Sequence, residues 1–181
     1  MDEGKFRKLE EVERHRGNRV AVSAVTFRAP DGEEFEREVV RHQAAVAIVP
    51  LLENGEVMLI RQYRGPVDAE LLEIPAGLCD VDGEALEETA RRELAEEIGM
   101  RPAQLEQIAE VLNAPGACDH HTLIYLARGL EPCPADAHGP EERHMTTERI
   151  GLDAALGMVA SGEILDAKTI IGLYRTRDVL R

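Results

Sequence analysis

The most constraining stretch of this chain is a helix that carries more negative charge on one side than a bare helix tolerates. Leu86, Ala90, Leu94 and Ile98 recur every four residues and draw one apolar stripe. Gly99 follows the last of them, where a left-handed C-terminal cap favours a residue without a side chain. Beside the stripe, Glu93, Glu96 and Glu97 fall at i, i+3 and i+4 and so share one arc of the surface. Each like-charged pair of this kind costs about 0.2–0.5 kcal/mol on an exposed helix. Arg92 reaches Glu88 or Glu96 at spacing four, yet one guanidinium cannot neutralise three carboxylates. A divalent cation can, since hard ions such as Mg²⁺ take oxygen ligands and keep several waters. A solvated acidic face is the plainer account of a glutamate-rich helix taken alone. Here the helix is preceded by Ile74-Pro75-Ala76-Gly77, a strand end running into a turn, and by Glu84, eight residues before Arg92.

Together these positions resemble the signature of the Nudix hydrolases, which cleave a nucleoside diphosphate linked to another group. That signature reads glycine, a short loop, glutamate, seven residues, then Arg-Glu-apolar-x-Glu-Glu-x-Gly-apolar. Gly77, Glu84, Arg92, Glu93, Leu94, Glu96, Glu97, Gly99 and Met100 fill every fixed position. One departure is visible: six residues, rather than the usual five, separate Gly77 from Glu84. The insertion lies ahead of the helix, so it leaves the helix carboxylates in register while shifting Ala76 relative to them.

Bulk properties narrow the class. A length of 181 residues with 44% hydrophobic residues is enough for one domain, or one domain with an extension. Thirty-five acidic against 21 basic residues give a net charge of −14, which argues against a nucleic-acid surface. An acidic enzyme acting on an anionic diphosphate needs cations to screen the approach, in keeping with a metal site. Cys79, Cys118 and Cys133 are odd in number and form no CxxC pair, as expected in a reducing compartment. No long apolar run exists, and the opening Met-Asp-Glu-Gly-Lys-Phe is not a signal peptide, so a soluble cytoplasmic protein without membrane or nucleic-acid partners is expected.

Along the chain, residues 5–16 are ambiguous between a strand and a short helix. Residues 19–27 alternate like a strand, Ala29-Pro30-Asp31-Gly32 has turn chemistry, and 33–40 return as a second strand. This predicts an N-terminal antiparallel β extension over 1–42 and a catalytic domain over 43–181. Residues 44–52 form a continuous apolar run fit for a buried central strand. Asn54-Gly55 is a hairpin signal before a strand at 57–64. Further strands are expected at 71–74, 105–112 and 122–127, a mobile loop at 131–145, and amphipathic helices near 152–160 and 166–179. Strands, a helix, more strands and then helices describe an α+β or α/β sandwich. The resemblance implies the Nudix fold, a mixed sheet between helices.

Features outside the signature are similar to the ADP-ribose pyrophosphatase branch: Arg61-Gln62-Tyr63-Arg64, Leu72-Glu73-Ile74-Pro75-Ala76-Gly77, Pro115 sixteen residues beyond Gly99, and the N-terminal hairpin leading into Val40-Arg41-His42. The branch implies an Mg²⁺-dependent homodimer, with Mn²⁺ as a substitute, whose extension helps shape the nucleoside pocket. Splitting ADP-ribose would give AMP and ribose 5-phosphate. Another nucleotide sugar, such as GDP-mannose or ADP-glucose, is the nearest alternative, and a catalytically silent ADP-ribose sensor is the alternative from another class. By resemblance the metal ligands are Glu93 and Glu97, with Glu96 close by, plus the Ala76 carbonyl. Glu84 and Arg92 orient loop and helix from behind. The general base is a loop glutamate, Glu142 in preference to Glu141 on motif register. Arg64 and Arg41 are candidates to hold diphosphate or base. The branch usually has Asp-Glu after Pro-Gly, whereas here Asp119 is followed by His120 and His121; and Arg41-His42-Gln43-Ala44-Ala45 stands where Arg-His-Pro-Gly-Ala is common. Both departures bear on substrate choice.

Overall fold

The computed structural model describes residues 4–135 and 143–181, and the chain divides into two units, residues 1–43 with 112–121 and residues 44–111 with 122–181.

The first unit is an antiparallel sheet in which β1 (Arg7–Arg16), β2 (Val20–Arg28) and β3 (Glu34–His42) lie in that order. β1 explains the ambiguity of residues 5–16. Its pairing with β2 slips twice, between Lys8 and Glu10 and between Glu13 and His15. Each slip breaks the two-residue alternation by which a strand is read. The β2–β3 turn closes through the Gly32 N–H donating to Ala29 O (3.0 Å), with Gly32 at φ +93°. Beyond it Phe27 stacks on Phe35, and Phe6 meets Phe35 edge-on. Residues 113–120 run beside β3, where the Val40 N–H donates to Ala117 O (2.9 Å).

The second unit is built around β4 (Ala45–Pro50), every residue of which is buried. β4 pairs in parallel with β9 (His121–Pro132) and antiparallel with β7 (Ala76–Leu78), and β8 (Met100–Leu112) completes the order β7-β4-β9-β8. β5 (Glu56–Arg64), β6 (Ala69–Glu73) and β10 (Thr146–Gly151) form a second sheet, ordered β10-β5-β6. Three helices complete the unit: α1 (Leu86–Ile98), α2 (Leu152–Ser161) and α3 (Ala167–Val179).

The apolar run has no alternation because β4 has two dry faces. Val46 and Ile48 pack with Ala90 and Leu94 of α1 and with Leu123 and Tyr125 of β9. Ala47 and Val49 point the other way, into a cluster with Val57 and Leu59 of β5, Ala155 of α2 and Leu173 of α3. Each such side chain contributes roughly 1.5–3 kcal/mol by leaving water. The four-stranded mixed sheet thus lies between α1 on one side and the second sheet with α2 and α3 on the other.

The Asn-Gly turn forms, with the Leu52 N–H donating to Glu56 O (2.8 Å) and Gly55 at φ +81°. It does not open a hairpin ladder. After one bridge, Leu51 to Val57, its arms part into different sheets. β4 already has strands on both edges, so β5 folds over and packs Val57 and Leu59 onto its face. β7 and β10 were not expected. β7 is three residues of what reads as a turn, and β10 is a largely polar strand whose pairing with β5 carries no apolar rhythm. On α1 the stripe is narrower than it reads: Ala90 and Leu94 are buried, whereas Leu86 is exposed.

α3 approaches the sheet at Gly172, where an added Cβ would lie 2.9 Å from Val49 Cγ2 and 3.1 Å from Ile74 Cδ1. Glycine to alanine inside a helix ordinarily stabilises by about 0.5–1 kcal/mol. Here the overlap reverses the sign, and Gly172→Ala is expected to lower stability by roughly 1–3 kcal/mol, read from urea unfolding.

Candidate active site

β7 and the loop after it deliver the chain to α1. Gly77 stands opposite Val46 in the ladder. A Cβ at Gly77 would overlap the Glu93 carboxyl, so the glycine leaves room for a glutamate that is 9% exposed. The loop then turns at Val81–Glu84, with the Glu84 N–H donating to Val81 O (3.2 Å) and Gly83 at φ +80°. Despite its additional residue, the loop brings Glu84 onto α1.

Arg92 is the hub. Its Nε and Nη2 donate to the two oxygens of Glu84, both at 3.2 Å, and its Nη1 donates to Glu93 (2.7 Å) and Glu96 (3.1 Å). The expected partner Glu88 belongs instead to Arg91, at 3.8 Å. The Thr89 hydroxyl also donates to Glu84 (2.8 Å). Arg92 above all, and Thr89 after it, hold the Glu84 carboxyl below its ordinary value, and Glu84 in turn raises the Arg92 guanidinium. Glu97 stands one turn beyond Glu93 and accepts from the Ala76 N–H (3.0 Å). Glu84, Arg92, Glu93, Glu96, Glu97 and Ala76 are therefore brought together.

Arg64 lies in the same unit but is not a free cation. Its Nε and Nη2 grip Glu73 in a fork at 2.7 and 2.6 Å. Glu73 is 1% exposed and also binds Lys168, which pairs with Asp166 at 2.9 Å. Burial pushes the Glu73 carboxyl up, but Arg64 and Lys168 outweigh it and the net shift is downward. The Arg64 guanidinium is raised, first by Glu73 and more weakly by the charge of Glu97, so it stands within the field of the acidic cluster.

Arg41 lies in the first unit. It forks onto Glu11 at 2.8 and 2.9 Å and donates to Asp119 at 3.0 Å. Arg41 brings the Glu11 carboxyl down to about 2. Asp119 also accepts from the His42 N–H (2.9 Å), and the His42 ring stacks on His120 with centroids 4.1 Å apart. Around Arg41, a cavity of about 390 Å³ is lined by Lys8, Phe27, Val39 and residues 115–119. Glu141 and Glu142 lie outside the described residues.

Sequence reasoning passed over Glu73, Asp166, Lys168 and Thr169. Two signals were present: a charge inside the apolar run Leu71-Leu72-Glu73-Ile74, and Asp166 ahead of Thr169, the spacing of a helix N-cap.

The carboxylates of Glu93, Glu96 and Glu97, with the Ala76 carbonyl, are hard oxygen donors of the kind a divalent cation takes. Among the described residues, no three acidic, histidine or cysteine side chains already enclose an ion position. Arg92 supplies the balancing charge between Glu93 and Glu96. The donor chemistry fits such an ion, and Gly77 leaves room for the Glu93 carboxylate among the donors.

Residues 41–165 match the NUDIX domain. The chain belongs to the Nudix hydrolases. It is 36% identical over 179 residues to an ADP-ribose pyrophosphatase of Mycobacterium tuberculosis, covering 99% of this chain and 86% of that one. It is 33% identical over 157 residues to a methanol dehydrogenase activator of Bacillus methanolicus, covering 87% and 84%. A crystal structure described as an ADP compounds hydrolase superposes with a TM-score of 0.87 at 25% identity, over 99% of this chain and 96% of that one. In this Nudix hydrolase no helix among the described residues is long and apolar enough to cross a membrane.

Two outcomes are expected. Gly77→Ala should displace the flexible end of Glu93 rather than the backbone, lowering hydrolase turnover by about 10- to 100-fold while the unfolding midpoint barely moves. Glu73, with its folded-state pKa below the ordinary carboxylate value, adds stability that is complete above that ordinary value and lost as pH falls through the lowered one. Urea unfolding between about pH 6 and 3 should therefore show a shallower acid limb in Glu73→Gln than in wild type.

Proposed function

We propose that this protein hydrolyses the diphosphate bond of ADP-ribose, or of a closely related nucleoside-diphosphate sugar, to give AMP and ribose 5-phosphate. The observation that carries this reading is the joint arrangement at α1, where Glu84, Glu93 and Glu96 converge on Arg92 and Glu97 reaches Ala76. Mg²⁺, with Mn²⁺ as a substitute, would be held by Glu93, Glu96, Glu97 and the Ala76 carbonyl. Bound there, it supplies the positive charge that a diphosphate needs as electrons gather on its leaving oxygen. Arg92 orients Glu93 and Glu96, and Glu84 together with Thr89 orients Arg92. Glu142, in preference to Glu141, takes the proton of the attacking water. Arg64, held by its fork to Glu73, would meet a phosphoryl oxygen with what remains of its guanidinium.

Lys8, Arg41, Asp119 and Phe27 line a cavity of the first unit in which Glu11 pairs with Lys8 and Arg41, and Asp119 with Arg41, so Arg41 would meet a nucleotide only by leaving these partners, while Phe27 offers a ring to a base. Phe6, Leu9 and Val12 are exposed on the same unit, an apolar set that supports a homodimer. A cytoplasmic location accords with three free cysteines.

A panel of nucleoside-diphosphate sugars with Mg²⁺ tests the substrate. AMP from ADP-ribose at a rate above that from ADP-glucose, and above GMP from GDP-mannose, is expected. No nucleoside monophosphate from any member would sink the enzymatic reading and leave the silent sensor. Glu97→Gln should lose nearly all turnover and keep its fold by circular dichroism. Glu142→Gln should slow the chemical step by about 10²- to 10⁴-fold with little change in metal affinity. If Glu141→Gln alone does so, the base lies one residue earlier.

A further inference from the structure

The first turn of α3 grips the segment that leads into Gly77. Asp166 caps the helix, its Oδ2 accepting from the Thr169 N–H (2.9 Å) and from the Thr169 hydroxyl (2.6 Å). With its proton directed to Asp166, Thr169 Oγ1 is left to accept from the Ile74 N–H (2.9 Å). Thr169 and Ile74 are both wholly buried, so no water can substitute for that bond. One residue on, Pro75 O accepts from the Ile48 N–H (2.8 Å). One further, the Ala76 N–H donates to Glu97 (3.0 Å). On the near side, Lys168 holds Glu73. Four consecutive residues, 73 to 76, are thus fixed in turn by α3, α3, β4 and α1.

We propose that Thr169 is a positioning residue for the metal-binding end of α1, acting through the Ile74 N–H to set the turn that presents Ala76 to Glu97. The inference rests on Ala76 and Glu97 being metal ligands. Capping α3 requires only the Asp166 bonds, and filling the core requires only the bulk of the side chain. Neither role calls for an acceptor aimed at Ile74. A hydrogen bond from outside the ligand set that fixes where a ligand sits shows itself in metal affinity rather than in stability alone.

Valine keeps the shape of threonine and removes the acceptor, whereas serine keeps the acceptor. Mn²⁺ binding, followed by electron paramagnetic resonance without substrate and well below the unfolding midpoint, separates the roles. Thr169→Val is expected to bind Mn²⁺ about tenfold more weakly than wild type, and Thr169→Ser within about twofold of it. Ile164→Val, a buried core change that touches none of these bonds, should lose stability and keep wild-type Mn²⁺ affinity. If Thr169→Val does not fold, Thr169→Cys carries the same test, since a thiol is only a weak acceptor for the Ile74 N–H and should weaken Mn²⁺ in the same direction. Thr169→Val, or Thr169→Cys in its place, binding Mn²⁺ like wild type would overturn this inference alone. A wild-type chain that binds no Mn²⁺ would overturn the metal reading and this inference with it.

Discussion

Everything near α1 depends on keeping four carboxylates close together without letting them push the helix apart. Glu84, Glu93 and Glu96 are held by one guanidinium, and Glu97 by one backbone N–H. The two restraints come from different elements: Arg92 from the helix itself, the Ala76 N–H from β7. Gly77 belongs to the same solution, since the most buried of the four lodges where its side chain would be. Concentrated charge of one sign costs stability unless something of the opposite sign offsets it.

That logic also orders the rest of the unit. The carboxylates must sit on a rigid helix, and α1 is rigid because Ala90 and Leu94 are pressed onto Val46 and Ile48. Those residues lie on a strand whose opposite face is covered as well, so β4 is clamped from both sides. The turn between β6 and β7 is fastened in turn by α3, through Lys168 and Thr169. A site built this way relies on its supports for precision more than on the residues that would touch a substrate.

How much of this was legible depended on whether the signal was local. The α1 helix, its glycine cap at φ +63° and the buried run of β4 were readable because each follows from spacing along a few turns or residues. β10 was not, since Thr146–Gly151 owes its form to an edge of β5 rather than to its own pattern. The parting of β4 from β5 after Asn54-Gly55 was hidden for a related reason: the turn is local, but the choice of sheet is made by strands far along the chain. At the site, the Nudix positions stood out in the sequence, whereas the Arg64–Glu73 fork did not, because charge partners nine residues apart share no simple period. Arg41 stands out in the sequence for its charge; its commitment to Glu11 and Asp119 becomes visible only when the sheet is folded.

The parallel pairing of β4 with β9, which sets Ala45 beside Thr122, has a consequence for how the protein is made. While the ribosome is still adding residues before 122, β4 has an open edge, and its Ala47–Val49 face has β5 against it but not yet α2 or α3. The first unit waits as well, because the strip that runs beside β3 is drawn from residues 112–121. Neither unit is finished until two-thirds of the chain has emerged, so an early pause in synthesis leaves β4 paired with β7 on one edge and open on the other.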